Sequence, residues 1–194
     1  MTDFRPKFGY PSLTQFSKSL MDQPALDVVP PSIRPFFTIT EIDDADFLIG
    51  DLFRRKFAHP PPDFRRHLAA LYRDSAGAYH VAGYSHMRPH DEVYLSGGSC
   101  SNGETIKRMH PDELAALKAA GGVYHLILKY AFKKYADSCD AFLGYSSDAR
   151  ALEVAFASGF VVTEYPRLFA HWHKPLADDV RRTLTAKIDA LGPF

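Results

Sequence analysis

Two cysteines, Cys100 and Cys139, are all that this 194-residue chain carries, and they form no CxxC pair. A disulfide framework is not indicated, and neither is a thiolate zinc site. An excess of one charge is also missing, because 23 Lys and Arg balance 23 Asp and Glu. That neutrality removes the bulk basic field used in nonspecific nucleic-acid binding. No apolar run approaches the roughly 18 residues of a membrane span. The best one, Val123 to Phe132, is interrupted by His125 and Lys129. No apolar secretory segment follows Met1, so the cytoplasm is the expected location, with neither membrane nor nucleic acid as partner. Internal repeats are absent too.

What is present suits one soluble domain with an arm. Apolar residues make up 46% and charged residues 24%, which is enough apolar material for a core and excludes global disorder. Residues 1–35 hold six of the 14 prolines, so long regular elements are not expected there. A short helix is expected after Pro11, with Leu13, Phe16 and Leu20 on one face. Phe4, Phe8, Tyr10 and Phe16 make this segment an arm that packs on the main domain or on a neighbouring subunit.

The main domain begins with a strand at Phe36–Thr40. A helix from Asp43 to Lys56 follows, acidic at its start and basic at its end, as the helix dipole favours. The spacing of Phe64, Leu68, Leu71 and Tyr72 predicts a second helix over 63–72, with Arg65, Arg66 and His67 on its solvated face. Tyr79–Met87 and Glu92–Cys100 form an antiparallel hairpin. Gly97-Gly98 in its second strand marks a bulge or a close backbone approach. A polar loop and a short helix, Pro111 to Ala120, lead to the break Gly121-Gly122. The next helix, Val123 to Tyr135, is apolar except for the stripe His125, Lys129 and Lys133, so it lies across a sheet. A strand at Ala141–Tyr145 precedes a helix capped by Ser147, with Ala149, Leu152 and Phe156 inward and Gly159 at its end. Strands at 160–165 and 168–174 and a polar helix at 178–190 complete the chain. This order gives an α/β or α+β domain with a mixed sheet, and the crossover helix makes the strands at 92–100 and 141–145 parallel.

The stretch Asp148 to Phe160, Asp-Ala-Arg-Ala-Leu-Glu-Val-Ala-Phe-Ala-Ser-Gly-Phe, resembles a motif of the GNAT superfamily of N-acyltransferases. In that family Asn-x-x-Ala-x-x-Leu-Tyr-x-x-x-Gly-Phe follows the fifth strand. Asp148, Ala151, Val154 and Gly159-Phe160 take the corresponding places, and Ala155 stands where many members have a Tyr that protonates the departing thiolate. Phe169 to Leu176 is similar to the family's closing strand. The resemblance covers roughly residues 36–176. It implies a GNAT-like mixed sheet, splayed at its centre and flanked by helices, between the Pro-rich arm at 1–35 and a C-terminal helix at 177–194.

The family's pyrophosphate loop, Arg/Gln-x-x-Gly-x-Gly/Ala, corresponds here to Lys118-Ala119-Ala120-Gly121-Gly122-Val123, with Val123 in the last Gly/Ala place. Its chemistry is that of a helix N-terminus, whose free N–H groups and dipole accept phosphate. Gly121-Gly122 is equally a plain break between two helices. Gly97-Gly98 fits the family's fourth-strand bulge, beside which the pantetheine arm lies, or a bulge without a ligand. Glu92 opens the fourth strand, where some members carry a catalytic Glu, and is otherwise a turn residue. Tyr145, at the end of the fifth strand, is placed to replace the missing acid or simply to pack.

The resemblance therefore implies an acyl-CoA, acetyl-CoA in the simplest case, as co-substrate, no metal, and a small-molecule or peptide amine as acceptor. A homodimer is compatible with it. The alternative is a GNAT-like domain that has lost catalysis and binds a ligand or partner. His171 and His173 share a strand face at metal-compatible spacing, but no third ligand lies near them in sequence. Cys100 reads as a small buried hydrophobe.

Overall fold

The computed structural model describes residues 27–64 and 66–194. The helix expected after Pro11 and most of the Pro-rich arm fall outside the described residues.

The elements are β1 (Phe37–Ile42), α1 (Ala45–Phe57), β2 (His67–Arg73), β3 (Tyr79–His90) and β4 (Val93–Ser101). Then come α2 (Gly103–Arg108), α3 (Pro111–Ala119), α4 (Gly122–Tyr135) and β5 (Ala141–Tyr145). The chain ends with α5 (Ala149–Ser158), β6 (Val161–Val162), β7 (Leu168–Trp172) and α6 (Asp178–Asp189). The seven strands among the described residues form one sheet in the order β1-β2-β3-β4-β5-β7-β6. As the sequence predicts, β3 and β4 form an antiparallel hairpin, and β5 lies parallel to β4 across the α4 crossover.

The sequence misleads at β2. The segment expected as a helix over 63–72 is a strand from His67, antiparallel to both β1 and β3. Both of its faces are covered. Leu68, Ala70 and Tyr72 join the core beneath α4, while Ala69 joins the core beneath α1. A strand buried on both faces has no period-two alternation, so its apolar run imitates helical spacing. His67 is accordingly buried, not solvated, and the Arg66 guanidinium lies over the rings of Tyr94 and Tyr135.

Two smaller corrections concern helices. Part of the loop expected after Ser101 is helix α2. On α5 the cap is Asp148, whose carboxylate accepts from the Ala151 N–H at 2.7 Å, not Ser147. The inward face of α5 is also rotated. Ala149 and Phe156 are exposed, while Ala155 and Ser158 are buried, because small side chains let α5 lie close on α4.

Helices cover both faces of the sheet. On one, α4 presents Val123, Leu126, Ile127, Tyr130 and Phe132 to Met87, Tyr94, Phe142 and Phe169. Lys129 and Lys133 stay exposed, as the stripe predicts. On the other face α1 packs on Ala69, Tyr84 and Cys100, and α6 brings Leu184 and Ile188 onto Leu95, Leu143 and Ala170. No described helix is long and apolar enough to cross a membrane.

Candidate functional site

The centre of the sheet opens. Pairing between β4 and β5 runs from Val93↔Ala141 to Ser96↔Gly144 and stops there. Beyond it β5 ends at Tyr145, while β4 continues through Gly97–Ser101 with no partner on that side. At this point β4 also bulges: Gly97 opposes His86 and Cys100 opposes Tyr84, so Gly98 and Ser99 bow out opposite Ser85. Gly98 takes φ +56°, a conformation that glycine supplies at little cost.

On the α4 face, a cleft of about 400 Å³ lies between the start of α4 and the flank of α5. Its walls are Gly121, His125, Arg150, Glu153, Val154 and Ala157. Gly121 is the N-cap of α4 at φ +94°, and no side chain caps this helix. The first amides of α4 therefore have no intrahelical or capping partner, and the dipole is positive there. A Cβ at Gly121 would lie 2.5 Å from the His125 ring, so the backbone approaches the cleft only without one. Arg150, in the first turn of α5, adds a cation to the facing wall, with Glu153 beside it as an anion. The His125 Nδ1 atom lies 2.9 Å from Ser158 Oγ, and burial lowers its pKa. This combination suits an anion such as a pyrophosphate.

Between this cleft and the end of β4–β5 pairing lies a group of hydroxyls. Ser85 Oγ is 2.7 Å from Ser99 Oγ, and it donates to the Gly97 carbonyl at 3.4 Å. Tyr124, in the first turn of α4, directs its phenol at Ser99 and Ser96. Burial raises its pKa, and the two serine hydroxyls offset part of that rise.

The opposite face, between α1 and α6, carries rings. The Tyr84 hydroxyl lies 2.6 Å from His67 Nδ1 and 3.4 Å from His86 Nδ1. Phe64 stacks on His67 and meets His86 edge-on, and Phe53 meets Tyr84 edge-on. His86 sits against the β4 break, since a Cβ on Gly97 would lie 2.7 Å from its Nε2 atom. Burial, aided by His67 and Arg88, pushes the His86 pKa down to about 3, so the ring is neutral at pH 7. Sequence reasoning missed this trio. The i, i+2 spacing of Tyr84 and His86 on a strand was its only signal, and His67 was hidden by the misassigned helix.

The residues singled out from sequence separate into groups. Gly97 and Gly98 form the β4 break, and Gly121 and Gly122 form the start of α4 beside the cleft. The Val123 side chain turns into the core, where a Cβ on Gly83 would run into it. Asp148 is spent as the α5 cap. Tyr145 packs on the α6 face near Phe194, away from the cleft. Glu92 is exposed at the start of β4 and 3.6 Å from Lys187. Five residues of strand put it roughly 16 Å from Gly97, so the structure does not bring it to the opening. Ala155 is fully buried. Both cysteines are free and buried, with pKa values pushed up to about 11 for Cys100 and about 12 for Cys139, so neither is a reactive thiolate.

No protein-family model matches the chain, and no curated protein matches it. Among solved structures it is similar to Tetrahymena GCN5, with 15% identity over 73% of this chain and 98% of that one, at a TM-score of 0.44. It is also similar to a putative N-acetyltransferase from Lactobacillus plantarum, with 14% identity over 72% and 99% of the two chains and a TM-score of 0.41. A third is the ribosomal-protein-S18-alanine N-acetyltransferase from Escherichia coli, with 12% identity over 74% and 98% and a TM-score of 0.42. The sheet is mixed, and its parallel central pair parts beside the start of the crossover helix.

Proposed function

We propose that this chain is an acyl-CoA-dependent N-acyltransferase, in the simplest case an acetyltransferase, acting on a small-molecule or peptide amine. One observation carries the proposal. The only parallel pair in the sheet parts at Ser96↔Gly144, and the uncapped start of α4 lies beside that opening with Arg150 across the cleft.

The residues present fit an acyl-CoA. Amides at Gly122 and Val123 and the Arg150 guanidinium suit its pyrophosphate, and the unpaired edge of β4 from Gly97 offers backbone groups to its amide-bearing arm. When bound, it supplies an activated acyl carbonyl on a good leaving group. The protein's part is positioning, exclusion of water and donors fixed near the carbonyl oxygen. The amine approaches from the face of His86, whose neutral ring can accept a hydrogen bond from the amine N–H. His67 and Tyr84 hold that ring in place.

Thermal denaturation with CoA and acetyl-CoA tests the proposal. Ligand at a hundredfold excess over Kd stabilises by about 2.7 kcal/mol, or roughly 5–10 °C in Tm for a chain of this length. No shift at millimolar ligand overturns the transferase reading. It would favour a domain that keeps the cleft for another ligand, consistent with Ala155 and with Glu92 far from the opening.

A further inference from the structure

Helix α6 is seated on the sheet through Leu184 and Ile188, and the residues after it lie over the opening. The chain turns back at Gly192, whose φ of +74° favours glycine and whose N–H donates to the Asp189 carbonyl at 3.0 Å. Leu191 is left exposed, whereas Phe194 returns to the sheet and is half-buried. Its ring lies beside that of Tyr145, the last residue of β5, with centroids 6.2 Å apart. Its backbone oxygen would lie 3.1 Å from a Cβ on Gly97, the first β4 residue beyond the last pair with β5. The same Cβ would meet His86 Nε2. Phe194 therefore covers the opening on the face from which the amine would come. Among the described residues, no backbone hydrogen bond ties Pro193 or Phe194 to the sheet. The partial burial of one ring holds the segment there, and that is a weak hold.

We propose that residues 192–194 occupy the acceptor's place in the free protein, and that the acceptor is an amine carrying an aromatic or compact apolar group that takes over the position of the Phe194 ring. The assignment rests on the acyltransferase reading and deepens it, since it names an acceptor class and a control on its entry. The surface that Phe194 covers is apolar, with Tyr145 beside Leu95, Leu143 and Leu168. A ring or a short branched chain regains there the burial that Phe194 gives up, whereas a charged or hydroxyl-rich chain does not. The amine nitrogen then lies at Gly97, where the Phe194 oxygen was, on the side of His86. Little has to move for this exchange. Leu184 and Ile188 keep α6 on the sheet, and only the chain beyond the Gly192 turn lifts away. Until it does, the opening is closed on the acceptor side, which also keeps water from the thioester.

Calorimetric titration of the full chain, saturated with CoA so that nothing reacts, tests this with 2-phenylethylamine and ethanolamine as probes. The wild-type chain should prefer 2-phenylethylamine by roughly tenfold, because only that amine has a ring to bury. Phe194→Ala should bind it about fivefold more tightly, as for a place that the segment holds roughly four-fifths of the time. Gly192→Val gives a second reading that leaves the ring in the chain. It strains the turn at φ +74° and should tighten binding in the same direction. Unchanged or weaker binding of 2-phenylethylamine to Phe194→Ala overturns the proposal and makes Phe194 a wall of the site instead of its occupant. A wild-type chain that binds CoA but neither probe, or both probes equally, overturns it too, and in each of these cases the acyltransferase reading stands. Failure of CoA itself to bind at millimolar concentration removes that reading and the proposal with it.

Discussion

At Gly98 the β4 bulge depends on a single missing side chain. Its φ of +56° is unfavourable for any residue with a Cβ, by roughly 1–2 kcal/mol. A Cβ there would also lie 2.6 Å from His86 Cε1 and 2.8 Å from Phe53 Cε2. Gly98→Ala should therefore lower unfolding stability by about 2 kcal/mol or more in urea titrations. Gly103→Ala, where a Cβ meets nothing within 4 Å, should be neutral or slightly stabilising. Equal stability of the two variants would mean that the bulge is not held by Gly98. This break was legible in the sequence because paired glycines inside a strand have few explanations. The trio of His67, Tyr84 and His86 was not, since residues 67 and 86 meet only through the β2–β3 register. Tyr124 escaped notice for a related reason: nothing in its neighbours separates a phenol facing serines from one facing leucines.

Elements were legible where one face is wet. The acidic start and basic end of α1 and the lysines of the stripe on α4 lie on exposed sides, and the structure reproduces both, while the turn between β3 and β4 falls at Asp91-Glu92 because β3 runs on to His90. Legibility failed where both faces are buried, as in β2, and where a helix rests on a helix. There the contact selects small residues, so the hydrophobic pattern of α5 pointed to Phe156 while Ala155 and Ser158 do the packing. This close packing of α5 on α4 brings Arg150 to the start of α4. Arg150→Glu should weaken CoA binding about fivefold or more, since it replaces a cation near the phosphates by an anion. The fold should not suffer, because a carboxylate in the first turn of α5 suits that helix's own dipole. Unchanged affinity by calorimetry, with an unchanged Tm, would place the phosphates elsewhere.

Across the whole molecule the histidines set the response to acid. Burial is the largest cause of lowered pKa values at His67, His86, His125, His171 and His173, reaching about 3 at His86 and about 4 at His173. Unfolded, each titrates near 6.5. As pH falls below that value, the unfolded chain takes up protons that the folded chain refuses, so stability falls with pH. The stabilisation is intact above about pH 6.5 and is lost progressively towards the folded values. Each unit costs about 1.4 kcal/mol per fully shifted group, so His86 alone accounts for about 2 kcal/mol at pH 5. Asp74, Asp91 and Glu104 have lowered pKa values too, but they lose their partners only below the ordinary carboxylate range, so pH 5–6.5 isolates the imidazoles. Urea midpoints should drop between pH 7.5 and pH 5, and His86→Gln should flatten that drop by close to one proton. A midpoint independent of pH over this range would mean that these rings are not held neutral. It would also remove the reason to regard His86 as a neutral hydrogen-bond acceptor on the proposed amine side of the sheet.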